Sequence, residues 1–150
     1  MAEYLGVEVS IPPNDPDHLG FLQEAGEGRF SMQQCGDCNK LRYPPGPACP
    51  LCQSLDWEWQ EVSGKGAIYS YEVVMHAIHP AYRERAPYIV ALIELDEQRG
   101  EPTEDDALRV ITSLVDENGD PVSEEACAIG LRVAVEFADL GDGLALPRFR

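Results

Sequence analysis

Basic residues are scarce in this sequence: 11 lysines and arginines against 27 aspartates and glutamates in 150 residues, a formal net charge of -16 at pH 7. A surface with so little positive charge repels phosphate backbones and anionic headgroups, which counts against nucleic-acid and membrane-surface binding. Also lacking is any apolar run near the roughly 18 residues of a membrane helix. The opening MAEYLGVEVS lacks the basic-then-apolar layout of a secretory leader. A cytoplasmic location is therefore expected. No G-x-S-x-G, H-E-x-x-H or dinucleotide fingerprint occurs, and Gly64-Lys65-Gly66 lacks the upstream glycine and downstream hydroxyl of a P-loop. An autonomous active site is not visible.

What is present suffices for a core. Hydrophobic residues make up 44% and charged residues 25%, an ordinary globular composition, and the length suits one domain or two very small modules sharing a core. Residues 1–14 carry no periodicity and are expected to form an arm. From Asp15 to Glu27, Leu19, Leu22 and Ala25 recur near helical spacing with Phe21 beside them. Asp15 or Asp17 is placed to cap this helix, and Gly26 and Gly28 to stop it. Beyond residue 60 the pattern turns to strands: 61–75 with a bulge or bend near Gly64 and Gly66, then 88–95, 107–115, 131–138 and a short one around 144–149. Residues 96–106 are acidic and Pro-bearing, a solvated loop. Asn118-Gly119 predicts a turn, and 123–129 a short helix ended by Gly130. Five strands with a helix before the fourth match an OB-fold barrel, although the strands alone also suit another small β-barrel or sandwich.

Residues 29–60 have little with which to build a core, and they hold four of the five cysteines. Cys35-x2-Cys38 and Cys49-x2-Cys52, ten residues apart, present four thiolates at the spacing of a structural metal site with no open position. Zinc is the expected ion, and four thiolates alone do not separate it from iron. Cys127 reads as a small buried hydrophobe. His76 and His79 sit on an expected loop facing substrate or partner, and His18 stands alone. Asp116, Asn118 and Asp120 begin like a calcium loop, but the glycine comes too early and no glutamate closes it, so a hairpin is expected.

In order along the chain stand the helix with Glu27-Gly28-Arg29-Phe30, the first knuckle, Leu41-Arg42-Tyr43-Pro44-Pro45, the second knuckle Cys49-Pro50-Leu51-Cys52, and Gly64-Lys65-Gly66-Ala67-Ile68-Tyr69-Ser70-Tyr71. This combination, with Leu146-Pro147-Arg148-Phe149 at the end, resembles the family catalogued as domain of unknown function 35. The resemblance covers residues 15–150. It implies a mainly β protein: an N-terminal arm and helix (1–28), a rubredoxin-like zinc ribbon (29–60) and a C-terminal OB-fold (61–150). Phe21-Leu22 departs from the pair of aromatics frequent there.

The resemblance further implies an accessory subunit in a hetero-oligomer. Its partner would be a thiolase-fold enzyme, most specifically a lipid-transfer-protein-like aldolase cleaving a steroid side-chain β-hydroxyacyl-CoA, with a thiolase or acyltransferase partner as the alternative. Catalytic residues would belong to the partner. On so acidic a chain, the anionic acyl-CoA is expected to approach the cations Arg29, Arg42 and Lys65. Phe21, Leu22, Phe30 and Tyr43 are the expected hydrophobic centre of the partner interface, with Tyr43 alternatively packing the ribbon on the barrel.

Overall fold

The structure is a computed structural model that describes residues 1–100 and 103–150. Glu101 and Pro102, in the expected acidic loop, lie outside the described residues. The arm, expected to hold no element, contains a hairpin of two-residue strands, β1 (Glu3–Tyr4) and β2 (Val7–Glu8). Its turn holds Leu5 and Gly6 at φ 54° and 76°, the left-handed pair of a tight hairpin. Leucine does not advertise such a turn. Ala2 joins Leu140 and Leu144 in a small second core, against which Val9, Ile11 and Leu19 pack.

Helix α1 (Pro16–Gly26) is one residue shorter at each end than expected. Asp15 is its N-cap: the carboxylate accepts the His18 N–H at 3.1 Å, satisfying one of the donors a helix start leaves free. Pro16 fits the first turn, where no N–H is needed. Residue 26 must be glycine, because a Cβ there would lie 1.9 Å from the Gly143 carbonyl oxygen.

The ribbon is a three-stranded antiparallel sheet. Its centre is β3 (Ser31–Cys35), flanked by β4 (Leu41–Arg42) and β5 (Trp57–Glu61). The barrel sheet comprises β6 (Lys65–Val74), β7 (Tyr88–Leu95), β8 (Arg109–Ser113), β9 (Arg132–Gly141) and β10 (Leu144–Phe149), in the order β10-β9-β6-β7-β8. Neighbours within the sheet are antiparallel. The edge strands approach one another at one end, where Leu114 and Phe149 form a parallel bridge and Val115 N–H donates to the Phe149 carbonyl at 2.9 Å. This is the strand order of an OB-fold, and the expected mainly β fold class holds.

Two local expectations are met only in part. Of the bulge or bend expected at Gly64 and Gly66, the bend is present, between the end of β5 at Glu61 and the start of β6 at Lys65, while the register shift in β6 lies further on, between Ile68 and Ser70. Gly64 sits at φ 70° and Gly66 lets the strand pass close to Glu94, whose carbonyl oxygen a Cβ would approach to 2.4 Å. The helix expected over 123–129 is a single 3₁₀ turn, Glu124–Ala126. Cys127 is already extended, and Gly130 N–H donates to the Ile68 carbonyl at 2.8 Å. Pairing with β6 thus takes the backbone that a marginal helix would have used. Asn118-Gly119 does make the expected turn, with Asp116 Oδ1 accepting from the N–H groups of Asn118 and Asp120 at 2.8 and 3.0 Å.

The main core runs continuously from ribbon to barrel. Phe21 of α1, Phe30 and Met32 of the ribbon region, and Ile68, Ile93, Leu95 and Phe149 of the barrel belong to one cluster. Phe30 is its hinge, with ring centroids 6.1 Å from Phe21 and 5.7 Å from Phe149 in edge-on geometry. Phe30→Ala is expected to cost about 3–5 kcal/mol in a urea unfolding experiment. A loss below about 1 kcal/mol would show that this junction collapses freely around the cavity.

Candidate functional site

The four clustered cysteines converge. Their Sγ atoms all lie within 4.8 Å of one another, with Cys35–Cys52 at 3.5 Å and Cys38–Cys49 at 3.7 Å. Four sulfurs about 2.3 Å from a tetrahedral zinc are separated by about 3.8 Å, so the residues fit the ion. The two knuckles repeat one backbone design. Cys35 N–H donates to Lys40 and Cys49 N–H to Ser54, while the Cys35 and Cys49 carbonyls accept from Asn39 and Gln53. Asn39 and Gln53 hold φ of 60° and 64°. Each turn thereby aims backbone amides at its first sulfur. The Cys38 amide, then that of Asp37, holds the Cys35 thiol down at about 6 against the effect of burial. The Cys49 thiol is also lowered: burial opposes this, and the Cys52 and Leu51 amides outweigh it. Such a centre is coordinatively closed, so its contribution is to fold and not to chemistry at the metal.

The three cations expected at an acyl-CoA do not form one cluster. Arg29 is held by Glu24, through Nε at 2.9 Å and Nη2 at 2.7 Å, and by Glu27 at 2.6 Å. Arg42, expected to meet an anionic ligand, is buried: β4 turns it inward. Lys65 is exposed at the start of β6. A cavity of about 350 Å³ between ribbon and barrel is lined by Arg42 but by neither Arg29 nor Lys65. Its remaining cations are engaged, Lys40 with Asp106 at 3.2 Å and Arg109 with Glu94 at 3.1 Å.

Of the residues expected at the partner interface, two are buried and two half-buried in the chain itself. Phe21 and Phe30 belong to the buried core, because α1 turns its aromatic face onto the ribbon and β10 instead of outward. Leu22 is half-buried against the same cores. Tyr43 packs, its ring 5.9 Å from Phe21, and burial raises its hydroxyl's pKa. Cys127 is buried as expected, and burial pushes its thiol up. His79 Nδ1 accepts the Ala81 N–H at 3.2 Å, a turn cap. His76 is exposed, and His18 pairs with Asp15 at 2.7 Å.

Sequence reasoning missed two glutamines. Gln98 bridges the ribbon and barrel by imitating a strand: Oε1 accepts the Leu41 N–H and Nε2 donates to the Leu41 carbonyl, both at 2.9 Å. Gln33, fully buried, accepts from Arg42 Nε at 3.0 Å and from Gly46 N–H at 2.8 Å. Nothing in the sequence separates Gln33 from its neighbour Gln34; strand pairing alone turns Gln33 inward to face Arg42.

A closed four-sulfur ribbon beside a five-stranded barrel defines a zinc-ribbon and OB-fold protein. Residues 22–58 match the family model described as ChsH2, rubredoxin-like zinc ribbon domain, and residues 59–138 the one described as ChsH2, C-terminal OB-fold domain. The second match alone exceeds half of the chain, so the chain belongs to the ChsH2 OB-fold family. The rubredoxin-like zinc ribbon supports a structural zinc in the quartet.

A "Probable enoyl-CoA hydratase alpha subunit" of Thermomonospora curvata is 36% identical over 93% of this chain and 39% of its own length. A "DUF35 domain-containing scaffold protein" of Methanocaldococcus jannaschii is 37% identical over 43% of this chain and 45% of its own length. The chain thus spans less than half the length of these two curated relatives. Among solved structures, a chain of "Ltp2-ChsH2(DUF35) aldolase" superposes with TM-score 0.73 at 36% identity, covering 93% of this chain and 98% of that one. A DUF35-family protein from Sulfolobus solfataricus, 14% identical with TM-score 0.50 over 86% of this chain and 82% of that one, shares the fold.

Cys49→Ser is expected to bind less than one zinc per chain by elemental analysis and to lose hydrogen-exchange protection over residues 31–61. Full zinc content in that variant would remove Cys49 from the ligand set.

Proposed function

We propose that this chain is a non-catalytic accessory subunit of a thiolase-fold, lipid-transfer-protein-like enzyme acting on acyl-CoA. The observation that carries this reading is the likeness to a chain of the "Ltp2-ChsH2(DUF35) aldolase", which extends over 93% of this chain and 98% of that one and so takes in helix, ribbon and barrel together. The scaffold name of the Methanocaldococcus jannaschii relative supports the same role. The finer form of the reading is retro-aldol cleavage of a steroid side-chain β-hydroxyacyl-CoA. There a base takes the hydroxyl proton, the Cα–Cβ bond breaks to release a carbonyl compound, and the remaining thioester enolate is protonated. Base and enolate stabiliser are assigned to the partner. A zinc closed by four thiolates has no open position at which to polarise the thioester, which supports that assignment.

The reading includes a cytoplasmic location, where four thiols stay reduced and available to metal. It leaves nucleic acid aside, since a groove that follows phosphates needs clustered basic residues and this chain has net charge -16.

Co-expression with a thiolase-fold protein encoded beside it is expected to give a stable hetero-oligomer on size-exclusion chromatography. That complex is expected to convert a steroid β-hydroxyacyl-CoA to ketone and shortened acyl-CoA, whereas this chain alone gives no turnover. Turnover by the isolated chain that disappears on mutating one of its own side chains would overturn the accessory role. Complex formation with thiolytic or acyl-transfer activity instead would retain that role and replace the aldol step.

A further inference from the structure

Arg42 is a positive charge buried, among the described residues, without an acid paired to it. Its side chain is 7% exposed. Nε donates to Gln33 Oε1 at 3.0 Å, Nη2 donates to the Gly46 carbonyl oxygen at 2.8 Å, and Nη1 is buried with no hydrogen-bond partner among the described residues. Both acceptors are neutral. Among the described residues Arg42 enters no ion pair, whereas Arg29, Arg109 and Arg148 are each held by a glutamate. The one carboxylate in its network, Asp17, is kept apart by the Gln33 amide, whose Nε2 donates to Asp17 Oδ1 at 3.0 Å. An uncompensated guanidinium in the interior is among the costliest arrangements a fold can hold.

The sheet register indicates where the compensating charge lies. Gln33 stands opposite Arg42 on one side, and Cys35 stands opposite Trp57 on the other. Residues two apart on a strand, and those directly across from them, share a face, so Gln33, Arg42, Cys35 and Trp57 belong to one face of the ribbon sheet. The guanidinium carbon lies 5.8 Å from the centroid of the Trp57 ring, so the side chain reaches toward the row that contains Cys35. Nη2 ends on Gly46, three residues before Cys49, and Arg42 and Cys49 line the same cavity. The guanidinium is therefore held between the strand that bears the first knuckle and the loop that enters the second. Four thiolates outweigh the charge of one zinc ion, so the loaded centre is a dianion.

We propose that Arg42 is the counter-charge of the metal centre. Its guanidinium is buried on the sulfur-bearing face of the ribbon to offset the negative charge of the tetrathiolate, and Gln33 and Gly46 position it there. The side chain ligates nothing; it acts through the thiolates, as partners surrounding a metal's ligands do. This role rests on the four cysteines and on no partner protein, so it stands or falls separately from the accessory-subunit reading.

The test is zinc affinity of the full chain, measured by competition with a chromogenic chelator, with far-UV circular dichroism of the zinc-saturated protein to verify folding. R42Q removes the charge, whereas R42K keeps it and gives up the forked hydrogen bonding to Gln33 and Gly46. R42Q is expected to bind zinc about 10- to 100-fold more weakly, and R42K to stay within about 3-fold of the parent. If R42Q does not fold with zinc, R42M, which retains apolar volume, takes its place with the same expectation. Unchanged affinity in the neutral variant would overturn the proposal. Equal weakening in R42K and the neutral variant would also overturn it, because geometry and not charge would then be what the centre needs.

Discussion

The cross-link among four sulfurs is the constraint on which the ribbon depends. Between Gly36 and Asp56 the chain buries little apolar surface: Leu51 and Leu55 are 56% and 74% exposed. Hydrophobic burial at about 25 cal/mol per Å² does not offset the backbone entropy of ordering such a segment. Convergent thiolates do what a core cannot, since binding free energy for the ion becomes folding free energy for the loops that carry its ligands. The repeated turn design, with Asn39 and Gln53 in matching left-handed conformations, shows that each knuckle is built to present sulfur and amide together.

The remainder of the molecule is organised by the aromatic junction. Phe21, Phe30, Tyr43 and Phe149 come from helix, ribbon and barrel and meet at ring separations of 5.7 to 6.1 Å. Residues expected at a partner surface are thereby committed to joining parts of the same chain.

Features governed by local rules were legible in the sequence. The helix followed from an Asp cap and 3.6-residue spacing, the metal quartet from knuckle spacing, and β7 from its apolar centre. The Asn118-Gly119 turn followed from residue type alone. What was not legible depends on neighbours distant in sequence. The burial of Phe21 and Phe30 is decided by how α1 lies on β10, and nothing in residues 15–30 encodes that angle. Arg42 reads as a surface cation until strand pairing places it opposite Gln33. The short helix expected at 123–129 was a sound local expectation that lost to pairing with Ile68, a competition settled only when the barrel forms. Leu5 adopts a left-handed conformation that its side chain disfavours, because Ala2 and Tyr4 gain packing from the hairpin.

Gln98 bonds the Leu41 peptide through both ends of its amide, so a side chain of the barrel stands where a neighbouring strand would be. The loop that carries it is joined to the core in turn, the Leu108 N–H donating to the Gln98 carbonyl at 2.8 Å. A two-point attachment resists twisting where a single hydrogen bond would act as a swivel. Ribbon and barrel thus share one orientation in the free protein, and any surface spanning both is preorganised. A body that touches the two modules at once is spared the rotational entropy of aligning them.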